Sequence, residues 1–291
     1  KPFFIAVGFR KPHEVRLIPE KYFEPYYCYN FYQVPFDYPY NTPNNAYPYN
    51  GIVMPPQPDT LYNDFYQLPE NGLGQFMAAY DSVYFEIEND IDEFHPLPYF
   101  NGAFSEEDRR AVAAQTINAN FVSTYVAAVK FIDAQVGRLL DTLALYPEIA
   151  NNTIIVLWSD HGMHMGEKEN WEKFTLWERS LRAPFFIMAP GITKAASTSP
   201  VPVATIDLFP TLAELIGEKR PAYCTGESLV PILKGINTIH SPVLSVYELK
   251  DSINGKPYDA YTIRTQRYRY IYYPSSGLEE FYDHDIDKNE W

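Results

Sequence analysis

The strongest constraint on the fold is the run at residues 153–159, Thr-Ile-Ile-Val-Leu-Trp-Ser, which is apolar over almost its whole length. A short apolar run of this kind, closed soon afterwards by Gly162, predicts a strand that is buried on both faces. Residues 3–7, which Gly8 follows, and residues 185–189 have the same character. Strands buried on both faces need helices to cover them, so the pattern favours an α/β fold.

Two helical segments lie around these strands. Residues 105–145 have apolar positions at helical spacing and predict a helix with Ser105 as its N-cap and a break near residues 118–120. Pro147 then ends it. Residues 207–216 predict a second helix, which Gly217 closes. The alternation of strands and helices predicts a mostly parallel sheet with helices on both faces.

The two remaining regions differ from this α/β pattern. Residues 22–99 are dense in Tyr, Pro and Asn, and aromatic residues make up 16% of the chain, so an ordered insertion over one face is expected. Short β runs at residues 243–247, 261–265, 268–272 and 280–282 predict a small antiparallel subdomain. The predicted domains are therefore residues 1–239 and residues 240–291.

Charge and composition exclude some classes of partner. The formal net charge of −14 argues against nucleic acid or an anionic membrane as a general partner, because both require a basic face. No apolar run reaches about 18 residues, so no membrane span is predicted. Cys28 and Cys224 show no zinc-ligand spacing, and free thiols are favoured over a single long-range bridge.

The polar residues that follow the predicted strands are the candidates for chemistry. Asp160 and His161 leave one strand end together, where both side chains could reach a single cation, although an N-cap and a packed histidine are the simpler interpretation. His13 follows residues 3–7 and would lie on the same rim if the strands are parallel, where it could exchange a proton with a leaving group. Lys173 could donate to an anionic ester, and otherwise would be a solvated surface lysine. His164 could touch a substrate, but an exposed loop position is favoured.

Several motifs taken together resemble the sulfatase family, and most closely its iduronate sulfatase branch. The resemblance covers nearly the whole chain apart from the Tyr/Pro-rich insertion. The motifs are Lys1-Pro2-Phe3-Phe4-Ile5-Ala6-Val7-Gly8-Phe9-Arg10-Lys11-Pro12-His13, Val136-Gly137-Arg138-Leu139-Leu140, Ser159-Asp160-His161-Gly162 with Gly166-Glu167, Trp171 and Lys173, and the closing Glu280-Phe281-Tyr282-Asp283-His284-Asp285 with Asn289-Glu290-Trp291.

The resemblance implies an alkaline-phosphatase-like α/β sandwich with a small C-terminal antiparallel subdomain. It implies that Asp160 and His161 are metal ligands, that Lys173 contacts the sulfate and that His13 lies near the leaving oxygen. The ion that it implies is Ca²⁺, whereas a histidine ligand by itself points to a transition metal such as Zn²⁺ or Mn²⁺.

The family's nucleophile is a formylglycine made from a Cys-x-Pro-x-Arg stretch, and neither Cys28 nor Cys224 lies in such a stretch. The chain begins abruptly on a predicted strand and ends as abruptly. The favoured interpretation is therefore part of a working sulfatase whose N-terminal part carries the formylglycine and is a partner of this chain. A phosphatase or phosphodiesterase of the same fold, and an inactive sulfatase-like binding or structural protein, are the alternatives.

Substrate and location follow only from the resemblance. A sulfated small molecule or a glycan is expected, and the aromatic insertion mildly favours sugar rings. A secreted, periplasmic or lysosomal location is implied, and Asn151-Asn152-Thr153 would be a glycosylation sequon in a secreted eukaryotic protein.

Overall fold

The computed structural model describes residues 2–13, 18–22, 106–236, 239–250 and 255–291. These residues belong to two compact units, the first containing the described residues up to 150 and the second those from 151 onwards. The predicted insertion at residues 22–99, apart from Tyr22, and the Ser105 cap lie outside the described residues. The predicted domain boundary at residue 240 stays a prediction.

The first unit is built on one long helix. Helix α1 spans Glu106–Ala144 without interruption, and the short helix α2, Pro147–Ala150, follows it. The predicted break near residues 118–120 is therefore wrong. Asparagine disfavours a helix by well under about 1 kcal/mol, and the alanines around this site are the strongest helix formers, so the helix continues. Tyr22, at the end of a 3-10 turn at Glu20–Tyr22, packs edge-on against Phe131 with ring centroids 5.3 Å apart.

Residues 3–7 are described but are not a strand. Their apolar side chains are largely exposed, with Phe4 at 85% and Ile5 at 72%. An apolar run becomes a buried strand only when neighbouring strands take up its backbone hydrogen bonds, and no strand is paired with it among the described residues. The apolar pattern that predicts a strand is a local feature of the sequence. The hydrogen bonds that a strand requires come from residues that are distant in sequence.

The second unit contains a two-stranded sheet. Strand β1 is Ile155–Trp158 and strand β4 is Phe185–Met188, and they pair antiparallel with Ile155 opposite Met188 and Trp158 opposite Phe185. Both strands lie where the sequence predicts them, but the predicted mostly parallel arrangement is not found among the described strands. A parallel pair needs a crossover of a dozen or more residues, usually a helix. The connection here has only helix α3, Glu178–Leu181, of four residues.

Between β1 and β4 the chain makes a small hairpin and then helix α3. Strands β2, His164–Met165, and β3, Trp171–Glu172, pair antiparallel around a 3-10 turn at Glu167–Glu169. After β4, a 3-10 turn at Thr205–Asp207 leads into helix α4, Leu208–Leu215, which Gly217 closes with a φ of 81°. The prediction of a helix at residues 207–216 is confirmed. Helix α5, Val230–Leu233, precedes the C-terminal sheet.

The C-terminal sheet confirms the predicted antiparallel subdomain. Its strands are β5, Val243–Lys250, β6, Pro257–Arg264, β7, Tyr268–Tyr273, and β8, Leu278–Asp283. Each strand pairs antiparallel with the next in the order β5-β6-β7-β8.

The buried core of the second unit joins this sheet to residues that precede helix α3. Leu176 and Trp177, both 1% exposed, pack with Ala260 of β6 and Ile271 and Tyr273 of β7. The indole nitrogen of Trp177 also donates to a carboxylate oxygen of Glu280 at 2.7 Å. The C-terminal sheet is thus packed directly onto the segment that follows Lys173.

Two smaller predictions can be compared with the described residues. Cys224 is a free thiol, whereas Cys28 lies outside the described residues, so its state stays a prediction. No described helix is both long enough and apolar enough to span a membrane.

Candidate functional site

Asp160 and His161 lie just beyond the carboxyl end of β1, after Ser159. The side chain of Asp160 is 84% exposed and that of His161 is 31% exposed, with Nε2 of His161 3.7 Å from Oδ2 of Asp160. The hydroxyl of Ser159 donates to Oδ1 of Asp160 at 3.3 Å and to the carbonyl of His161 at 3.2 Å. The backbone therefore presents a carboxylate and an imidazole side by side to solvent.

The donor atoms of this pair fit a divalent cation. Nδ1 of His161 lies 2.7 Å from the carbonyl oxygen of Gly162. A carbonyl only accepts, so Nδ1 carries a proton, and in the neutral imidazole Nε2 keeps its lone pair. That lone pair and the Asp160 carboxylate are the kinds of ligand that bind metals, and the hydrogen bond from the other ring nitrogen fixes the tautomer. The pair supplies two ligands, which is fewer than any of the candidate ions requires.

Gly162 fixes the direction in which the chain leaves this pair. Its N–H donates to the carbonyl of Ser180 at 2.7 Å. A Cβ at this position would collide with the backbone carbonyl oxygens of Arg179 and Arg182. The Asp160–His161 turn is therefore pressed against helix α3, and only glycine allows that approach.

Lys173 follows β3 at a strained point of the backbone. Glu172, which precedes it, has a φ of 69°, in the left-handed region that non-glycine residues rarely occupy. Such a conformation persists only where the surrounding structure enforces it, and here the flanking Trp171 and Thr175 are buried at 8% and 4% exposure. The side chain of Lys173 is half-buried, and its Nζ lies 5.6 Å from the ring centroid of Phe174.

His164 is fully buried, which corrects the expectation of an exposed loop residue. Its Nδ1 lies 3.3 Å from the carbonyl of Glu167, which only accepts, so Nε2 accepts from the hydroxyl of Thr175 at 2.9 Å. Burial lowers the pKa of His164 to about 4. The neutral imidazole links the hairpin to Thr175, which lies eleven positions further along the chain. No local sequence pattern predicts this contact. We therefore assign no substrate contact to His164.

His13 lies in the first compact unit, whereas Asp160, His161, His164 and Lys173 lie in the second. Its side chain is exposed. Its backbone N–H donates to the carbonyl of Arg10 at 3.1 Å and its carbonyl accepts from Nζ of Lys11 at 3.0 Å. The strand that was expected to carry it to the metal rim is not formed among the described residues, so its place in the site stays a prediction.

A cluster of buried and partly buried ionic side chains, which is not predicted from the sequence, contacts the segment that follows Lys173. It joins α3, the C-terminal sheet and the last residues of the chain. Its members are Glu178, Arg264, Arg269, His284 and Glu290. A signal was present, since Arg269 interrupts the aromatic run Tyr268-Arg269-Tyr270-Ile271-Tyr272-Tyr273 with a charge at a position that strand alternation turns inward.

With this geometry established, the family of the chain follows from comparison with known proteins. The profile of the family described as Sulfatase matches residues 1–218, and one described as N-sulphoglucosamine sulphohydrolase, C-terminal, matches residues 166–291. The chain belongs to the sulfatase family, which confirms the resemblance drawn from its motifs.

Relatives in several organisms are similar to this chain over much of its length. A protein named Sulfatase from Formosa agariphila is 31% identical over the whole of this chain and 46% of its own length. The iduronate 2-sulfatase of Homo sapiens is 28% identical over 77% of this chain and 37% of its own length. The chain therefore spans less than half the length of these relatives.

Solved structures give the same result for the fold. One, a complex with its substrate D-glucosamine-2-N,6-O-disulfate, has a TM-score of 0.53 and 26% identity over 79% of this chain and 44% of its own. Another, described as a 2-O GAG sulfatase, has a TM-score of 0.53 and 29% identity over 60% of this chain and 38% of its own. The fold is that of the sulfatases, as the predicted alkaline-phosphatase-like class requires.

The buried His164 predicts a pH dependence of stability. Its folded-state pKa of about 4 lies below the ordinary value of 6.5, so the unfolded chain takes up the proton first. The contribution of His164 to stability is complete above pH 6.5 and is lost as the pH falls toward 4. We expect the free energy of unfolding of the complete protein to fall by about 2 kcal/mol more between about pH 7 and about pH 5 than that of His164→Gln.

Urea unfolding of both proteins at the two pH values measures this difference. His13→Gln, the same change at an exposed histidine, is the matched control and should keep the wild-type pH dependence. An equal pH dependence in wild type and His164→Gln would show that the buried imidazole does not titrate in this way.

Proposed function

We propose that this chain is part of a sulfatase that hydrolyses a sulfate ester, and that Asp160, His161, Lys173 and His13 are its share of the active site. The observation that carries the proposal is the Asp160–His161 pair beyond β1, whose imidazole Nε2 and carboxylate Oδ2 lie 3.7 Å apart in a chain of the sulfatase family. Hydrolysis breaks the bond between sulfur and the ester oxygen and releases an alcohol and sulfate.

Asp160 and His161 would hold the metal ion, together with ligands from elsewhere in the protein. A bound cation would lower the energy of negative charge on the sulfate oxygens. Oxygen ligands suit Ca²⁺, whereas the Nε2 ligand is better matched to Zn²⁺ or Mn²⁺. We favour Ca²⁺ on the family resemblance.

Lys173 and His13 would act on opposite ends of the breaking bond. The Lys173 ammonium would donate to the sulfate oxygens, where charge develops in the transition state. His13 in its protonated form would give a proton to the ester oxygen as it leaves with the bonding electrons. The formylglycine expected in the family is assigned to the N-terminal part of the protein.

A glycan is the proposed substrate class. Two relatives of known structure support it, since one has a glucosamine disulfate as its substrate and the other is described as a 2-O GAG sulfatase. We place the protein in a secreted, periplasmic or lysosomal location, where such substrates are met.

Lys173 gives the sharpest test of the sulfatase assignment. We expect the complete protein to hydrolyse an aryl sulfate faster than the matching aryl phosphate. Lys173→Ala should lower kcat/KM for the sulfate by about 10²- to 10³-fold, because one donor to the transition state is lost. Steady-state kinetics with both esters measures this.

The control is Lys194→Ala, which removes an exposed lysine of the same unit and should leave kcat/KM unchanged. A preference for the phosphate would favour the sister phosphatase instead. No turnover of either ester, with no metal bound to the purified protein, would favour an inactive sulfatase-like module.

His13 is tested through the leaving group. His13→Gln should lower kcat for an alkyl sulfate by about 10²- to 10⁴-fold, because a poor leaving group needs the proton. The loss should be much smaller for an aryl sulfate with an acidic phenol, which leaves without protonation. Equal losses for the two esters would remove His13 from the acid role.

The N-terminal part of the protein is proposed as the partner that covers the exposed apolar side chains of β1 and β4. Leu157 is 38% exposed, and Phe186, which lies opposite it on β4 and so on the same face, is 62% exposed. Burying side chains of this size is worth about 1.5–3 kcal/mol each. The same surface lies beside the Asp160–His161 pair, so the partner would also complete the metal ligands.

Hydrogen–deuterium exchange tests this partner. Amides of β1 and β4 should exchange at least tenfold more slowly in the complete protein than in this chain alone, because pairing and burial protect backbone amides. Equal exchange rates would show that the N-terminal part does not cover this sheet.

A further inference from the structure

A buried ion network connects the C-terminal sheet to the segment that carries Lys173. The guanidinium of Arg269, on β7, contacts the carboxylates of both Glu178 and Glu290. Arg264, at the end of β6, adds a hydrogen bond from its Nε to Oε2 of Glu178 at 3.1 Å. Arg269 is 2% exposed and Glu290 is 1% exposed, so these charges are removed from water and must satisfy each other.

His284 completes the network in one tautomer. Its Nδ1 lies 2.8 Å from a guanidinium nitrogen of Arg264, which can only donate, so Nδ1 is the acceptor. Its Nε2 then carries the proton and donates to Oε1 of Glu290 at 2.8 Å. Burial opposes ionisation of Glu290, but the His284 hydrogen bond and the charge of Arg269 outweigh it and lower its pKa.

The same atoms have the spacing of a metal site but not its electrostatics. Ligand atoms of Glu178, His284 and Glu290 all lie within 4.8 Å of one another. The two guanidinium groups of Arg264 and Arg269 already occupy this space and supply the compensating positive charge. The cluster is therefore an ion network between side chains, in which the two arginines supply the positive charge.

Side chains of the network form hydrogen bonds with the backbone just beyond Lys173. A guanidinium nitrogen of Arg269 donates to the carbonyl of Leu176 at 3.2 Å, and the backbone N–H of Glu178 donates to Oε2 of Glu290 at 2.7 Å. Lys168, which lies in the preceding turn, donates its ammonium to the carbonyl of Glu290. Its Nζ also lies 5.0 Å from the ring centroid of Trp177. Both sides of Lys173 are thus attached to Glu290.

The network also reaches the Asp160–His161 pair. Glu178 is the first residue of helix α3, and the carbonyl of Ser180 in that helix accepts from the N–H of Gly162 at 2.7 Å. Because Gly162 leaves no room for a Cβ against α3, a shift of this helix would move the turn that holds Asp160 and His161.

We propose that Glu290, acting with Arg269 through Glu178, is a positioning residue for the candidate active site. Arg269 of the C-terminal sheet, 91 residues from Glu178 in sequence, thereby sets the placement of Lys173 relative to the Asp160–His161 turn. This inference rests on the proposed function, because it assigns a catalytic consequence to a network that touches no substrate. It predicts that loosening the network lowers turnover before it unfolds the protein.

The test is a double-mutant cycle in the complete protein. Glu290→Gln keeps the shape of the side chain and removes its charge, and it should lower kcat for the aryl sulfate by about 10- to 100-fold at a temperature well below unfolding, with little change in KM. In the Lys173→Ala background, Glu290→Gln should lower kcat by less than about threefold. The network then has no lysine to position, so its loss has little further effect.

Asp207→Asn is the matched control for loss of a buried carboxylate. Asp207 is 1% exposed and accepts from the backbone N–H groups of Ala204 and Glu227, outside the network. If Asp207→Asn lowers the melting temperature by about as much as Glu290→Gln does, its kcat should still lie within about threefold of the wild-type value. An equal loss of kcat in Asp207→Asn and Glu290→Gln would show that Glu290 acts only through stability and would overturn the proposal.

Two further outcomes separate the inference from the function on which it rests. If Lys173→Ala keeps full turnover, the proposed function fails. If Lys173→Ala lowers turnover and the effects of the two substitutions multiply independently, only the positioning role fails. Should Glu290→Gln not fold, His284→Asn enters the same cycle, because it weakens one hydrogen bond to Glu290 and leaves the Arg269 pair in place; its effect in the Lys173→Ala background then decides.

Discussion

The described second unit depends on the ion pairs that Arg269 makes with Glu178 and Glu290. An arginine buried to 2% exposure is tolerable only if its charge and its donors are satisfied, and here two carboxylates and the carbonyl of Leu176 satisfy them. Replacing one partner would leave a buried charge unpaired. The requirement forces the end of the chain, the C-terminal sheet and the segment after Lys173 into one arrangement.

Local patterns in the sequence were sufficient for elements whose stability is local or strongly periodic. The four β runs of the tail, the helix closed by Gly217 and the positions of β1 and β4 were all predicted from such patterns. The antiparallel direction of the β1–β4 pair could not be predicted in this way, because it depends on how the intervening residues fold. The same limit applies to residues 3–7, whose apolar pattern is strand-like but which pair with no strand among the described residues.

The residues of the candidate site also fall into two groups, those that sequence patterns mark and those that they do not. Asp160, His161 and Lys173 could be singled out because strand ends and family motifs mark them. The buried state of His164 and the buried ion pairs of Glu290 could not be predicted, because both depend on residues that are distant in sequence. One example is the hydrogen bond from the N–H of Glu178 to Glu290, across 112 positions. The alternation of β7 marks Arg269 as an inward charge, but it does not identify Glu178 and Glu290 as its partners.

The proposed sulfate-ester site joins Asp160, His161 and Lys173. A crystal structure of the complete protein with its metal and a bound sulfate ester would show whether these three side chains meet at one ligand. We expect one cation in contact with both Asp160 and Nε2 of His161, and the Lys173 ammonium within hydrogen-bonding distance of a sulfate oxygen. A cation held by other residues, or a sulfate that Lys173 does not contact, would contradict it.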